Sequence, residues 1–171
     1  MNGLTKVCKE LEPEFSPADT SSYEKMFRAI DAAFFNGQVA KKIGLPRFVA
    51  RPDAPLPVAW NNKSDEMLIS SSMFHAIRKS IMNDGAVILH NKRAHGPTEA
   101  YAICMGVAMQ CRARRVLGRN APRAVIFKTR TLPRFPVSRI GLGRAQAMHN
   151  RIGSPGMSRG QLLASLAVTN N

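Results

Sequence analysis

Twelve lysines and arginines follow Glu99 in this chain of 171 residues, and not one aspartate or glutamate does. Eleven of the twelve are arginine: Arg112, Arg114, Arg115, Arg119, Arg123, Arg130, Arg134, Arg139, Arg144, Arg151 and Arg159, with Lys128 the exception. The guanidinium group offers a planar fork that holds two phosphate oxygens at once and stacks on bases. The first 100 residues carry 13 cations against 11 acids, so the formal net charge of +14 sits almost wholly beyond them. A surface kept soluble by charge mixes both signs and uses lysine freely. An acid-free run of 72 residues instead sustains a positive field that calls for a negative partner. The plainer account is a basic tail in a chain that prefers arginine, and cations at a helix C-terminus are ordinary. Complete segregation of the acids favours the polyanion. All twelve side chains are therefore candidates for phosphate contact, with DNA, RNA or an acidic protein surface as the polyanion. Between Arg112 and Arg159 the aromatic residues are Phe127 and Phe135, so base stacking is a minor theme.

Other chemistry is harder to assemble. The four histidines are His75, His90, His95 and His149, and the close pair, His90 and His95, is five residues apart. Two zinc ligands on one helix need a spacing of four and a glutamate after the first histidine, where this chain has Asn91. No CxxC pair and no phosphate loop of the GxxxxGK type occurs, and Gly141-Leu142-Gly143 reads as a turn. Serine and cysteine nucleophile elbows are missing too. Asp31, Asp53, Asp65, Glu66 and Asp84 are acids that acid–base catalysis would have to draw on, and none forms a recognisable pair. The expectation is a protein that is not an enzyme, with neither metal nor cofactor.

These residues need a framework. A hydrophobic fraction of 44% is enough for a core, and nine methionines suggest an adaptable one. No apolar run is long enough to span a membrane, and Met1 to Lys6 lack the pattern of a signal peptide, which suggests a cytosolic chain. Cys104 and Cys111 on one helix would stand about 10 Å apart, too far for a disulfide, and read as core residues.

Residues 1–19, with acids, prolines and little periodicity, read as an irregular arm. Ser21-x-x-Glu24 forms a capping-box pattern, and Tyr23, Met26, Phe27, Ile30 and Phe34 predict a helix that Asn36-Gly37 stops. Arg47 to Ala50 reads as a strand, and Pro57 to Trp60 with Glu66 to Ser70 as a hairpin around Asn61 to Asp65. Ser71 or Ser72 would cap a second helix through Met73, Phe74, Ile77 and Ile81 to Asp84-Gly85. The run Ala86 to His90 is undecided by its pattern. Gly96-Pro97 opens a third helix, apolar on nearly every side from Ala100 to Val116 and closed by Gly118. Arg123 to Lys128 reads as a strand. From 129 to 171 prolines and glycines recur every few residues, as in an extended arm that a partner orders, with a short helix at Gln161 to Val168. The expected fold is α+β: about three helices on a small antiparallel sheet over residues 20–128, then a basic arm over 129–171.

The order Phe27-Arg28-Ala29-Ile30-Asp31-Ala32-Ala33-Phe34-Phe35-Asn36-Gly37, followed by a hairpin ending Met67-Leu68-Ile69-Ser70, resembles the front of the SprT-like zinc metallopeptidases. In that family a helix with a phenylalanine–glycine ending precedes a small sheet. The catalytic helix carries HExxH, and a third ligand can lie in an HGP-type segment. His95-Gly96-Pro97 is similar to that segment, and Leu89-His90 stands where the catalytic helix would begin. The glutamate and second histidine of HExxH are missing, so the resemblance implies a scaffold without the protease.

Three functional classes follow. The first is a non-enzymatic nucleic-acid-binding protein, or a component of a nucleoprotein or viral assembly, in an intracellular compartment or, if viral, inside a virion. The second is a regulator or inhibitor that binds an acidic protein surface. The third is a divergent hydrolase of the SprT-like kind.

Overall fold

The computed structural model describes residues 3–127. The arm expected over 129–171, its terminal helix and Lys128 lie outside the described residues. The fold is α+β, as expected, with five α-helices and two small sheets among the described residues.

Helix α1, Gly3–Leu11, occupies the segment expected to be irregular. Its short apolar stripe, Leu4 and Cys8, is buried, and packing against the core stabilises a helix too short to persist alone. α2, Thr20–Phe35, follows the predicted periodicity, with Tyr23, Met26, Phe27 and Ile30 buried. Its cap differs from the expected box. Asp19 accepts the Ser21 N–H at 2.9 Å, and Glu24 pairs with Arg28 at 2.8 Å one turn on. Asn36, in the left-handed conformation, ends the helix. A further short helix, α3, spans Gln38–Ile43. Its first turn is capped from a distance: the buried Asp31 carboxylate accepts the N–H groups of Val39 at 3.0 Å and Ala40 at 2.9 Å.

Strands β1, Arg47–Ala50, β2, Val58–Asn61, and β3, Glu66–Ile69, form one sheet in the order β1-β3-β2. The β2–β3 hairpin is antiparallel, as its turn predicts, but β1 pairs with β3 in parallel, so the sheet is mixed. The proline-rich connection from Arg51 to Pro57 is long enough to carry the chain past β3 before it turns back. It is tied there by Arg51 N–H to Ile69 O at 2.7 Å and Ser70 N–H to Pro57 O at 3.0 Å. α4, Met73–Asp84, ends at a left-handed Gly85 as predicted. Ser72 precedes it without capping, because its hydroxyl donates to Pro52 O. The undecided run is strand β4, Val87–Leu89, which forms an antiparallel hairpin with β5, Lys92–Ala94.

α5, Pro97–Leu117, is the axis of the molecule. Every residue from Ala100 to Ala113 is buried, because α1, α2, α3, α4, β2 and β5 all pack around it. Its 21 residues span about 30 Å. Arg123 to Phe127, expected as a strand, is instead a loop and a single 3₁₀ turn, Val125–Phe127. After Gly118 the chain turns back along α5, and Gln110 clamps it by donating to Pro122 O at 3.1 Å and accepting Ala124 N–H at 2.9 Å. Phe127 then drops into a slot beside Gly106, edge-on to Phe34 at 5.3 Å and stacked on Phe35 at 5.9 Å. A Cβ at Gly106 would stand 2.2 Å from the Phe127 ring, so this close approach requires glycine.

Candidate nucleic-acid interface

Five of the twelve candidate cations fall among the described residues: Arg112, Arg114, Arg115, Arg119 and Arg123. Lys128, Arg130, Arg134, Arg139, Arg144, Arg151 and Arg159 lie outside them. The five do not form one surface.

Arg112 is not a phosphate ligand on an open face. Only 2% exposed, it spends its whole fork inside the protein. Nε and Nη2 each reach the Asp65 carboxylate at 2.7 Å, Nη1 donates to Gly44 O at 2.7 Å, and Nη2 also reaches Ile43 O at 3.1 Å. Helical spacing explains the correction. Position 112 falls on a face of α5 covered by α3 and the β2–β3 turn, so its charge had to find internal partners. The Arg112 hydrogen bonds hold the Asp65 carboxyl below the usual carboxylate range, with a further bond from Trp60 Nε1 at 3.0 Å.

Arg115, Arg119 and Arg123 are exposed, Arg114 is half-buried, and none has an ion pair among the described residues. Arg115 lies three residues beyond Arg112 and so emerges over the same face, while Arg114 points to another side of the helix. The contacts of Arg112 bring two distant pieces of chain to this end of α5. One is the last turn of α3, carrying the exposed Lys41 and Lys42. The other is the β2–β3 turn, carrying the exposed Lys63. Charge counting along the chain passed over these three lysines because they lie in the balanced half. A Lys-Lys pair just before Gly44 was a visible helix-end signal, but its neighbour in space was not.

The acids that catalysis would have drawn on have structural partners. Asp31 caps α3, Asp53 pairs with Arg51 at 3.3 Å, Asp65 holds Arg112, and Glu66 pairs with Arg47. Asp84 ends α4 beside Ser80, at 3.5 Å from its hydroxyl. His90 lies in the β4–β5 turn with φ of 50°, so no helix begins at Leu89-His90. His95 is exposed, its Nδ1 3.3 Å from Gly85 O, and its N–H is accepted by Glu99 at 2.7 Å as part of the α5 cap. No group of three or more histidine, cysteine, aspartate or glutamate side chains among the described residues is arranged to hold a metal ion. Cys8, Cys104 and Cys111 are free and buried, and desolvation pushes the Cys8 and Cys104 thiols up to about 12 and that of Cys111 to about 11. No helix among the described residues is long and apolar enough to cross a membrane.

No family model, curated protein or solved structure matches this chain.

Proposed function

We propose that this protein is a non-enzymatic nucleic-acid-binding protein, a component of nucleoprotein organisation, that contacts phosphates through its arginine-rich C-terminal third. The observation that carries the reading is the 72-residue run without an acid, in which eleven of twelve cations are arginine. Among the described residues, internal pairing accounts for one of the five cations of that run that fall there. All eleven acids of the chain precede it, and Asp65 is the one that pairs with an arginine from it among the described residues. Such a segment gains binding free energy by releasing the counterions condensed on nucleic acid, with little preference for sequence.

Salt-titrated binding of the full chain to duplex DNA and to single-stranded RNA tests this. Six phosphate contacts give a slope of log K against log salt on the order of −5, a loss of about a thousandfold between 50 and 200 mM salt. Replacing Arg130, Arg134, Arg139 and Arg144 by alanine flattens the slope by about one unit per lost contact, equally on unrelated sequences. A shallow slope with tight binding points instead to an acidic protein as the partner.

A further inference from the structure

We propose that the folded core carries its own phosphate-binding surface at the C-terminal end of α5, formed by Lys41, Lys42, Lys63 and Arg115 and held together by Arg112. This rests on the nucleic-acid reading above and adds a rigid surface to the arm. The four cations come from three separated stretches of chain, and the Arg112 fork joins those stretches through bonds of 2.7 to 3.1 Å. Arg112 is thus a positioning residue, buried beneath the surface it assembles.

Lysines in the last turn of a helix ordinarily serve its terminal carbonyls. Here that role is taken. Ile43 O and Gly44 O accept from Arg112, and Lys41 and Lys42 stand exposed with no ion pair among the described residues. Local acids do not neutralise the surface either. Asp65 and Glu66, the acids of the adjoining turn, are held by Arg112 and Arg47. Asp31, the acid beside α3, is buried and bound to the Val39 and Ala40 N–H groups, and other acids lie toward the far end of α5. Glu99 lies in its first turn, and Asp84 ends α4, whose Gly85 carbonyl meets His95. Glu14 and Asp19 flank Phe15, whose ring packs on Tyr101 at 5.4 Å. Neither the last turn of α3 nor the β2–β3 turn carries an acid without an ion-pair partner, so this end of the core suits the phosphate backbone of nucleic acid.

The test uses the full chain with fluorescent duplex DNA and single-stranded RNA oligonucleotides, on whichever binds more tightly at low salt. The triple change Lys41→Ala, Lys42→Ala, Lys63→Ala is expected to flatten the salt slope by about 2 to 3 units, narrowing the affinity loss between 50 and 200 mM salt by about 40-fold. Arginine at the same three positions keeps the slope. A control with equal loss of charge, Arg78→Ala, Lys79→Ala, Arg93→Ala, removes exposed cations near the opposite end and is expected to change the slope by less than one unit. An unchanged slope in the first triple, or an equal change in the control, overturns the proposal. If the arm variants flatten the slope and the lysine triple does not, the arm alone binds. If neither probe binds the wild-type chain, the nucleic-acid reading falls with it.

Discussion

Arg112 and Asp65 are 47 residues apart in sequence and meet in a two-pronged ion pair, with Nε and Nη2 each 2.7 Å from a carboxylate oxygen. Their environments are unequal. The Arg112 side chain is 3% exposed and that of Asp65 is 51% exposed, so a buried cation is held against a half-solvated anion. The arrangement suits guanidinium, whose N–H groups also satisfy two backbone carbonyls, those of Ile43 and Gly44.

Replacing Arg112 should therefore cost more than a surface ion pair does. Arg112→Lys keeps the charge but reaches fewer of the four acceptor contacts, and is expected to lower stability by about 2 kcal/mol. Arg112→Ala leaves the Ile43 and Gly44 carbonyls unpaired and should cost about 3 kcal/mol. Urea unfolding measures both, and losses near zero would show that the pair does not hold α3 and the hairpin turn onto α5.

The same pair sets a dependence on pH. The folded protein holds the Asp65 carboxyl below its ordinary value of 3.8, chiefly through Arg112 hydrogen bonding. A carboxyl lowered by folding stabilises the protein above its unfolded value, and that stability is lost as pH falls through the folded value. Asp65→Asn should be less stable than wild type at pH 5, with the difference shrinking below about pH 4. Glu14, Asp19, Asp53 and Glu66 are lowered as well, so wild type alone loses stability on acidification for several reasons. The difference between the two proteins isolates Asp65; a gap that stays constant with pH argues against the assignment.

Gly106 and Phe127 should behave as one unit. Gly106→Ala forces a methyl group into the Phe127 ring and is expected to cost about 2 to 3 kcal/mol. Phe127→Ala empties a fully buried site at a cost of about 4 kcal/mol. With the ring gone, alanine at 106 fits and adds helix propensity, so the double variant should be more stable than the sum of the single losses implies, by about 2 kcal/mol. Additive losses would place Phe127 elsewhere in solution.

What sequence reasoning could see was local. The Tyr23 to Phe34 periodicity, the Asn36 and Gly85 stops, the Gly96-Pro97 start and the β2–β3 turn each carry their signal within a few residues, and each is where it was expected. α1 escaped because nine residues with two buried side chains show too little period to stand out from a loop. The parallel β1–β3 pairing and the Asp31 cap escaped because partners far along the chain decide them. Val125–Phe127 was misjudged for a related reason, since three apolar residues fit a strand and a plug equally well. On the interface, counting charge identified the acid-free segment but gave Arg112 the wrong place. A cation count does not show which face of α5 lies under α3.

The anchoring of Phe127 determines where the chain can be shortened. Ala121, Ala124 and Phe127 are buried, and Gln110 clamps the backbone at Pro122 and Ala124. The core thus extends through residue 127 among the described residues. Deleting residues 129–171 removes six arginines and none of these contacts. The shortened chain should unfold cooperatively, with helical circular dichroism and a urea midpoint close to wild type. Its binding slope should shrink by up to about 5 units, one per lost phosphate contact, leaving whatever the core cations supply. Deleting residues 121–171 instead also removes the Phe127 plug, at a cost of about 4 kcal/mol from a domain whose total stability is only about 5 to 15 kcal/mol. The longer deletion is expected to leave a protein that melts early or fails to fold. If the two deletions are equally stable, the plug is dispensable. If the 129–171 deletion itself is unfolded, residues of the arm belong to the core, and the boundary after Lys128 is wrong.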